Sequence, residues 1–188
     1  KHNEFFYPYS STILFRFGAR GNMPPCDVTW YDGVDNLPPL PAGYGESELG
    51  ADIPASNQGE YTKQKINPGK IIYSKDLIFK GASHGSTLSI IPKEKAEEMK
   101  DKLPKVTKSP TNHYVNFLRA CQGVEKTRSP FEINGVLSQV FCLGVIAQRL
   151  NTQLFFDPRN KVFTNNDFAN SMLAGMPPRR GWEDFYKI

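Results

Sequence analysis

The amino-acid sequence predicts an α+β fold with a largely antiparallel or mixed β-sheet. Alternating strand patterns dominate the first half of the chain, and helical periodicity dominates the second half. The length of 188 residues is that of one ordinary domain, and 39% hydrophobic with 22% charged residues is the composition of a chain that folds around a core. We therefore expect a single domain over residues 1–188.

Two neighbouring strands are predicted near the N-terminus. Residues 11–17 and 26–31 both alternate between apolar and polar side chains, and turn-forming residues 18–25 lie between them. One face of the first strand carries Ile13, Phe15 and Phe17. The second faces of both strands mix polar and apolar side chains, which predicts a contact with a second copy or with another domain. These faces carry Thr12, Leu14, Arg16, Asp27, Thr29 and Tyr31.

The middle of the chain is predicted to contain a long excursion followed by three short strands. Residues 34–69 are rich in Pro, Gly, Asn and Ser, which precludes a long helix or a central strand. Strand character returns at residues 70–73, 77–79 and 86–91. A charged run over residues 93–102 then predicts a short surface helix.

Two longer helices are predicted in the second half. The first has Ser109 as its N-cap and Pro110 in its first turn, and Gly123 ends it. Its apolar stripe consists of Tyr114, Phe117, Leu118 and Cys121. The second spans residues 135–150 and ends at Asn151. Its apolar side chains lie nearly all round, which predicts a helix sandwiched between other elements.

Two short elements complete the predicted fold. Residues 154–156 are typical of a strand that Asp157-Pro158 stops. Asn165 or Asn166 is expected to cap a final helix that reaches Leu173.

Charge and cysteine usage exclude several classes of function. The net charge of +4 forms no basic stripe, and no apolar run has membrane-spanning length, so we expect no nucleic-acid and no membrane partner. Cys26, Cys121 and Cys142 have no histidine at metal-ligand spacing, so we expect them to be reduced, buried and structural, with no metal site. The chain starts without an initiator Met or a signal peptide. We expect it to begin within a longer protein, either cytoplasmic or exported.

Catalytic motifs are not found in the sequence. The Gly-rich segment 43–50 has the wrong spacing for a dinucleotide fingerprint, since Glu48 stands where the third glycine would be. No Ser-His-Asp or Cys-His arrangement is signalled, so an independent hydrolase ranks last. We assign no catalytic residue and no cofactor-binding residue.

The candidate substrate-binding residues are Trp30, Tyr31, Asp32 and His113. Trp30 and Tyr31 face opposite sides of a strand, so one must leave the core, and an aromatic beside a carboxylate is a common sugar-contacting arrangement. Core packing is the alternative for Trp30. His113 lies on the first turn of a predicted helix, where a partly buried structural histidine is the alternative. His84, in a Gly-flanked turn, is expected to be exposed rather than catalytic.

Several stretches in order resemble the C-terminal half of the Gfo/Idh/MocA (glucose–fructose oxidoreductase-like) family, in the subgroup with an ARGxxPP…WYDG loop. The resemblance runs from about Ser11 to Trp182. The stretches are residues 15–25 (FRFGARGNMPP), 28–33 (VTWYDG), 38–41 (PPLP), 113–123 (HYVNFLRACQG), 143–150 (LGVIAQRL), 155–157 (FFD), 164–165 (TN), 169–170 (AN) and 180–182 (RGW).

The resemblance implies an open sheet with helices on one face, in the substrate-side and oligomerisation domain of an NAD(P)-dependent oxidoreductase. The substrate would be a sugar, an inositol or a related polyol, and the protein would be a homo-oligomer. NAD or NADP would be bound by an N-terminal Rossmann domain that this chain lacks. The family's E-K-P lysine and Asp-x-x-x-His helix are also absent, so no catalytic residue carries over and the fragment alone is expected to be inactive. The alternative is a free-standing carbohydrate-binding or assembly module without enzymatic activity.

Overall fold

The structure, a computed structural model, describes residues 7–33, 36–42, 44, 69–82, 88–104 and 111–186. These residues form an α+β fold, as predicted, and every pair of strands is antiparallel. The described strands form three small sheets of two, three and two strands, and the single open sheet that the resemblance implies is not among them. The chain divides into two compact units, one formed by Lys1–Asn36 with Thr111–Ile188 and the other by Leu37–Pro110.

The elements follow one another in the order strands, helices, then a short hairpin and a last helix. They are β1 (Ser11–Phe17), β2 (Cys26–Asp32), β3 (Gly69–Tyr73), β4 (Ile78–Ala82), β5 (Ser89–Ile91), α1 (Lys93–Met99), α2 (His113–Cys121), α3 (Phe131–Leu150), β6 (Phe156–Asp157), β7 (Val162–Phe163), α4 (Asp167–Ser171) and a final 3₁₀ turn (Glu183–Tyr186).

In the first unit, β1 and β2 form an antiparallel hairpin. The register pairs Ser11 with Asp32 at the open end and Phe17 with Cys26 near the tip. The predicted alternation of β1 is confirmed, because every second residue is half-buried and the residues between them are exposed. At the tip, Gly21 has a φ of +52°, a conformation that the tight turn requires and that glycine adopts at little cost.

Helix α3 packs on one face of this hairpin. It begins at Phe131, earlier than predicted, because Pro130 is accommodated in the extended N-cap position before the first turn. Gly144 lies against Phe15, where a Cβ atom would come within 2.7 Å of the ring Cε1. The helix ends at Asn151, as predicted, in a left-handed conformation with φ 48°.

Only the C-terminal half of α3 is covered by the described residues. Gly144 and Ile146 are buried, but Phe131 near the N-terminus is 88% exposed. The other exposed apolar residues of the N-terminal half of α3 are Ile133, Val136 and Leu137. The prediction of a sandwiched helix is therefore wrong for this part of the chain. Two strands lie only about 4.8 Å apart, so a hairpin is too narrow to cover more than a few turns of a helix.

A small hydrophobic core joins α3 to the C-terminal elements. Its buried residues are Ile146, Phe163 and Ala169. The Phe156 and Phe163 rings, paired across β6 and β7, meet edge to face with their centroids 5.6 Å apart. Asn166 caps α4, as predicted, because its side-chain oxygen accepts the Ala169 N–H at 2.9 Å.

Side-chain amides fix the ends of β6 and β7. The Asn165 oxygen accepts the Phe155 N–H at 2.9 Å, and β6 begins only after that residue, later than predicted. The Asn170 side chain accepts the Phe163 N–H at 2.6 Å and donates to the Phe163 carbonyl at 2.9 Å. These asparagines therefore replace backbone partners that a longer ladder would supply.

The turn between β6 and β7 is organised by Asp157. Its carboxylate accepts the backbone N–H of Arg159 at 2.8 Å and the side-chain amide of Asn160 at 2.6 Å. These hydrogen bonds, with the Arg159 N–H as the largest contribution, hold the pKa of Asp157 below its ordinary value.

The second unit contains β3, β4 and β5 in one antiparallel sheet, followed by α1. The three predicted strands and the surface helix are thus confirmed, with shifted ends. Lys80 in β4 is buried, donates to the Tyr44 carbonyl and lies 4.8 Å from the centre of the Tyr44 ring. Most of the predicted excursion, the Gly-rich segment and His84 lie outside the described residues.

Helix α2 begins at His113 rather than near Ser109. The Asn112 side chain caps it by accepting the Val115 N–H at 2.9 Å, so the prediction that Ser109 is the N-cap is wrong. Gly123 ends the helix, as predicted, with φ +74°, and the N–H groups at the end close a Schellman motif.

The three cysteines are free, as expected, but the expectation that they are buried is wrong. Cys26, Cys121 and Cys142 are all exposed. Cys121 and Cys142 lie on helices that the described residues cover on one side only, and Cys26 begins β2 near the hairpin tip.

Candidate functional site

Trp30 lies on the face of the hairpin that α3 covers. It pairs with Ile13 across the hairpin, and its ring meets the Phe141 ring edge to face, with centroids 6.3 Å apart. The residue nevertheless remains 51% exposed. Trp30 therefore packs against α3, as the core alternative requires, and still leaves half of its surface exposed.

Strand alternation separates the other two β2 candidates. Tyr31 pairs with Thr12 on the opposite face and is half-buried. Asp32, opposite Ser11, returns to the face of Trp30 and is exposed. The structure thus brings Trp30 and Asp32 together on one face and places Tyr31 on the other.

Asn36 fixes the open end of the hairpin. Its side-chain amide donates to the Ser11 carbonyl at 2.7 Å, to Thr12 Oγ1 at 2.9 Å and to the Asp32 carbonyl at 3.2 Å. Gly33, with φ +111°, lets the chain turn closely past Ser10. Asn36 therefore joins the two strands at this end of the hairpin and holds the backbone that carries Asp32.

Two residues that the sequence reasoning missed complete this end of the hairpin. Gln148 of α3 donates from Nε2 to Ser11 Oγ at 2.6 Å, and both residues are half-buried. The available signal was a polar residue two helical turns after Phe141 on an apolar helix. We call Ser11, Trp30, Asp32, Phe141 and Gln148 the strand-end cluster.

His113 stands apart from the strand-end cluster. It is the first residue of α2, it is exposed, and its ring lies 5.9 Å from the Tyr114 ring. Among the described residues, no hydrogen bond, ion pair or ring contact joins His113 to Trp30, Tyr31 or Asp32. Its role in substrate binding stays a prediction.

A polar network beside α2 was not predicted from the sequence. Asn116, only 2% exposed, donates to Glu125 Oε2 at 2.8 Å and to the Lys126 carbonyl at 3.1 Å, and it accepts the Arg128 N–H at 3.0 Å. Arg119 donates to Glu125 Oε1 at 2.9 Å. The buried Asn116 amide therefore holds the loop after α2 back along the helix, and both its nitrogen and its oxygen are hydrogen-bonded.

The same network fixes the start of α2. The Arg128 guanidinium donates to the carbonyls of Thr111 and Asn112, the latter at 3.0 Å. Hydrogen bonds from Asn116 first, and then from Arg119, lower the pKa of Glu125 below its ordinary value. We call Thr111, Asn116, Arg119, Glu125 and Arg128 the α2 clamp. Its groups already have partners, which favours a structural role.

The apolar stripe predicted for α2 exists, but it faces outward. Tyr114 is 80% exposed, and Phe117 and Leu118 are also exposed, whereas the polar Asn116 on the other side is buried. We call this stripe of α2 the uncovered helix surface. Apolar groups repeated on one helix face are the pattern of a surface that a partner covers.

The expectation that the chain contains no apolar run of membrane-spanning length is wrong for α3. Residues Phe131–Leu150 are long and apolar enough to cross a membrane by length and composition alone. The core helix of a soluble protein passes the same test but is mostly buried, whereas only 11% of this stretch of α3 is buried. The C-terminal half of α3 does pack in the core formed with Phe163 and Ala169.

The residues that the structure describes include no cluster of three His, Cys, Asp or Glu side chains that could hold a metal ion. The strand-end cluster offers an aromatic surface, a carboxylate, an amide and a hydroxyl. Such a set can bind a neutral hydroxylated molecule without transferring protons or electrons.

No protein-family model, no curated protein and no solved structure matches this chain.

Proposed function

We propose that this chain is the substrate-side domain of an NAD(P)-dependent oxidoreductase that acts on a sugar, an inositol or a related polyol. The observation that carries the proposal is the uncovered helix surface. A helix that buries Asn116 and exposes Tyr114, Phe117 and Leu118 has its apolar face available for another domain. In the oxidoreductases that the sequence resembles, that domain is the Rossmann domain.

The described residues do not fit the cofactor itself. A dinucleotide is held where a strand leads through a glycine loop into the N-terminus of a helix, because backbone N–H groups there bind the pyrophosphate. In the described part of the chain, the strand that leads most directly into a helix is β5, and Pro92 rather than a glycine loop precedes α1. NAD or NADP would therefore be bound by the partner domain, and we derive no hydride-transfer step from these residues.

The other face of the hairpin supports a homo-oligomer. Leu14 is 46% exposed there beside the exposed Arg16 and Thr29, a mixture typical of a surface that a partner covers in part. This face lies opposite α3, so a second copy bound there would leave the strand-end cluster uncovered.

A free-standing carbohydrate-binding module is the second candidate. One observation favours it, because every residue of the strand-end cluster comes from this chain. Such a module would bind a polyol without any dinucleotide domain.

Dinucleotide titrations test the proposed function. Thermal shift of the 188-residue chain with NAD and NADP should show no stabilisation, whereas the complete translation product should be stabilised by one of them and oxidise a sugar or an inositol. A complete product that responds to neither cofactor would refute the oxidoreductase and leave the binding module.

A matched pair of variants tests the uncovered helix surface in the complete product. Leu118→Glu on the exposed stripe should abolish activity, because an unpaired charge would be buried against the partner domain. Lys126→Glu, which changes the charge of an exposed side chain, should retain activity. Equal activity of both variants would contradict docking through this surface.

A further inference from the structure

We propose that the strand-end cluster is the subsite that holds one ring of the polyol, with Trp30 as the stacking platform and Asp32 and Gln148 as the groups that bind its hydroxyls. This inference rests on the proposed function and names where the substrate lies. Of the residues predicted from the sequence, the subsite includes Trp30 and Asp32 and leaves out Tyr31, which lies on the opposite face of the hairpin.

The stacking platform is already held in place. The Phe141 ring meets Trp30 edge to face at 6.3 Å, and Ile13 is its neighbour across the hairpin. The ring is thereby fixed on its α3 side while the residue keeps 51% of its surface exposed. The negative π-face of an indole favours the C–H groups on the apolar face of a sugar or inositol ring.

The hydrogen-bonding groups lie on the same face and within reach of one ring. Trp30 and Asp32 are two residues apart on β2, about 7 Å along the strand. Ser11 is directly opposite Asp32, about 5 Å away between Cβ atoms, and Gln148 is bonded to Ser11 Oγ. A ring stacked on Trp30 therefore lies on the face that also carries these three side chains.

The chemistry of these groups selects vicinal hydroxyls. The Asp32 carboxylate can only accept hydrogen bonds, whereas Gln148 spends one N–H on Ser11 and, among the described residues, has no further partner for its second N–H and its carbonyl oxygen. Each neighbouring hydroxyl of a polyol can thus donate to one group and accept from another. The cluster contains no cationic side chain, so it favours a neutral ring over a phosphate or a carboxylate.

The Asn36 bonds explain why the polar end is rigid. They tie the Ser11 and Asp32 backbones to each other, so the strand positions that carry the hydroxyl and the carboxylate keep their spacing before a ligand binds. Weak carbohydrate ligands depend on such preorganisation, because ordering flexible side chains costs affinity.

Saturation-transfer NMR on the 188-residue chain tests the subsite, with methyl β-glucopyranoside and myo-inositol as probes. Trp30→Ala should weaken binding of at least one probe by about tenfold, which corresponds to about 1.4 kcal/mol. Asp32→Asn should weaken it several-fold without removing any packed group. The matched control is Trp182→Ala, because Trp182 is 47% exposed and lies in the C-terminal segment against Phe185.

The outcomes separate this inference from the proposed function. Binding that Trp30→Ala and Asp32→Asn leave unchanged, or that Tyr31→Ala removes while they do not, overturns the subsite. Failure of the unsubstituted chain to bind either probe also overturns it. The dinucleotide response of the complete product is read separately and does not depend on Trp30. Circular dichroism of Trp30→Ala and of Asp32→Asn is compared with that of the unsubstituted chain, and Asp32→Asn, which alters only an exposed side chain, still tests the subsite if Trp30→Ala does not fold.

Discussion

Replacing Asn116 by Ala should be the most destabilising polar substitution in the second half of the chain. Asn116 is 2% exposed and makes two hydrogen bonds to the backbone of the loop after α2, to the Lys126 carbonyl and from the Arg128 N–H. Each such bond contributes about 0.5–1.5 kcal/mol, so their loss costs about 1–3 kcal/mol. The lost bond to the Glu125 carboxylate adds to this cost. The better helix propensity of Ala returns only about 0.5 kcal/mol.

The assay is urea unfolding followed by circular dichroism, with the slope of the transition compared between variants. Leu118→Ala is the control, since Leu118 lies on the same helix, is 61% exposed and should change the free energy of unfolding by less than about 0.5 kcal/mol. If Asn116→Ala costs no more than Leu118→Ala, the α2 clamp does not stabilise the fold, and the reasoning from buried hydrogen bonds is refuted. A larger effect of Leu118→Ala would show that the isolated chain already covers its apolar stripe.

Two further predictions concern packing and pH. Gly144→Ala should destabilise the fold by about 1–3 kcal/mol, because its Cβ would overlap the Phe15 ring, whereas Gly135→Ala on the open part of α3 should stabilise it by up to about 1 kcal/mol. Calorimetry that finds both substitutions stabilising would contradict the packing of α3 on the hairpin. The pKa of Asp157 is held low chiefly by the Arg159 N–H, so its stabilisation of the β6–β7 turn is complete above the ordinary carboxyl pKa and is lost as the pH falls through the lowered value. Asp157→Asn should flatten this acid limb of the stability profile, and an unchanged limb would show that other groups cause it.

Local sequence predicted those elements whose signals are local. The structure confirms the predicted alternation of β1, the stop at Gly123 and the end of α3 at Asn151, because each depends on neighbouring residues. The prediction left the cap of α4 open between Asn165 and Asn166, and the structure shows that it is Asn166. The N-cap of α2 was misplaced at Ser109, since Ser and Asn are both good caps and only the structure shows which side chain meets the free N–H.

For the candidate site, sequence periodicity was sufficient to separate Trp30 from Tyr31 but not to find their neighbours. Gln148 joins Ser11 across a separation of 137 residues, and no local pattern encodes that contact. The α2 clamp was missed for the same reason, because a polar Asn116 on a helix looks exposed until the loop that carries Glu125 and Arg128 folds back onto it.

The sequence by itself determined the α+β class, the strand faces and the C-terminal ends of α2 and α3, because dihedral preferences, side-chain periodicity and capping act over a few residues. Which faces are covered was decided only by the tertiary structure. The stripe on α2 and the N-terminal half of α3 are apolar by sequence yet exposed, whereas Asn116 and Lys80 are polar by sequence yet buried. Burial depends on which elements meet in space, and a hairpin of two strands is too narrow to cover a long apolar helix.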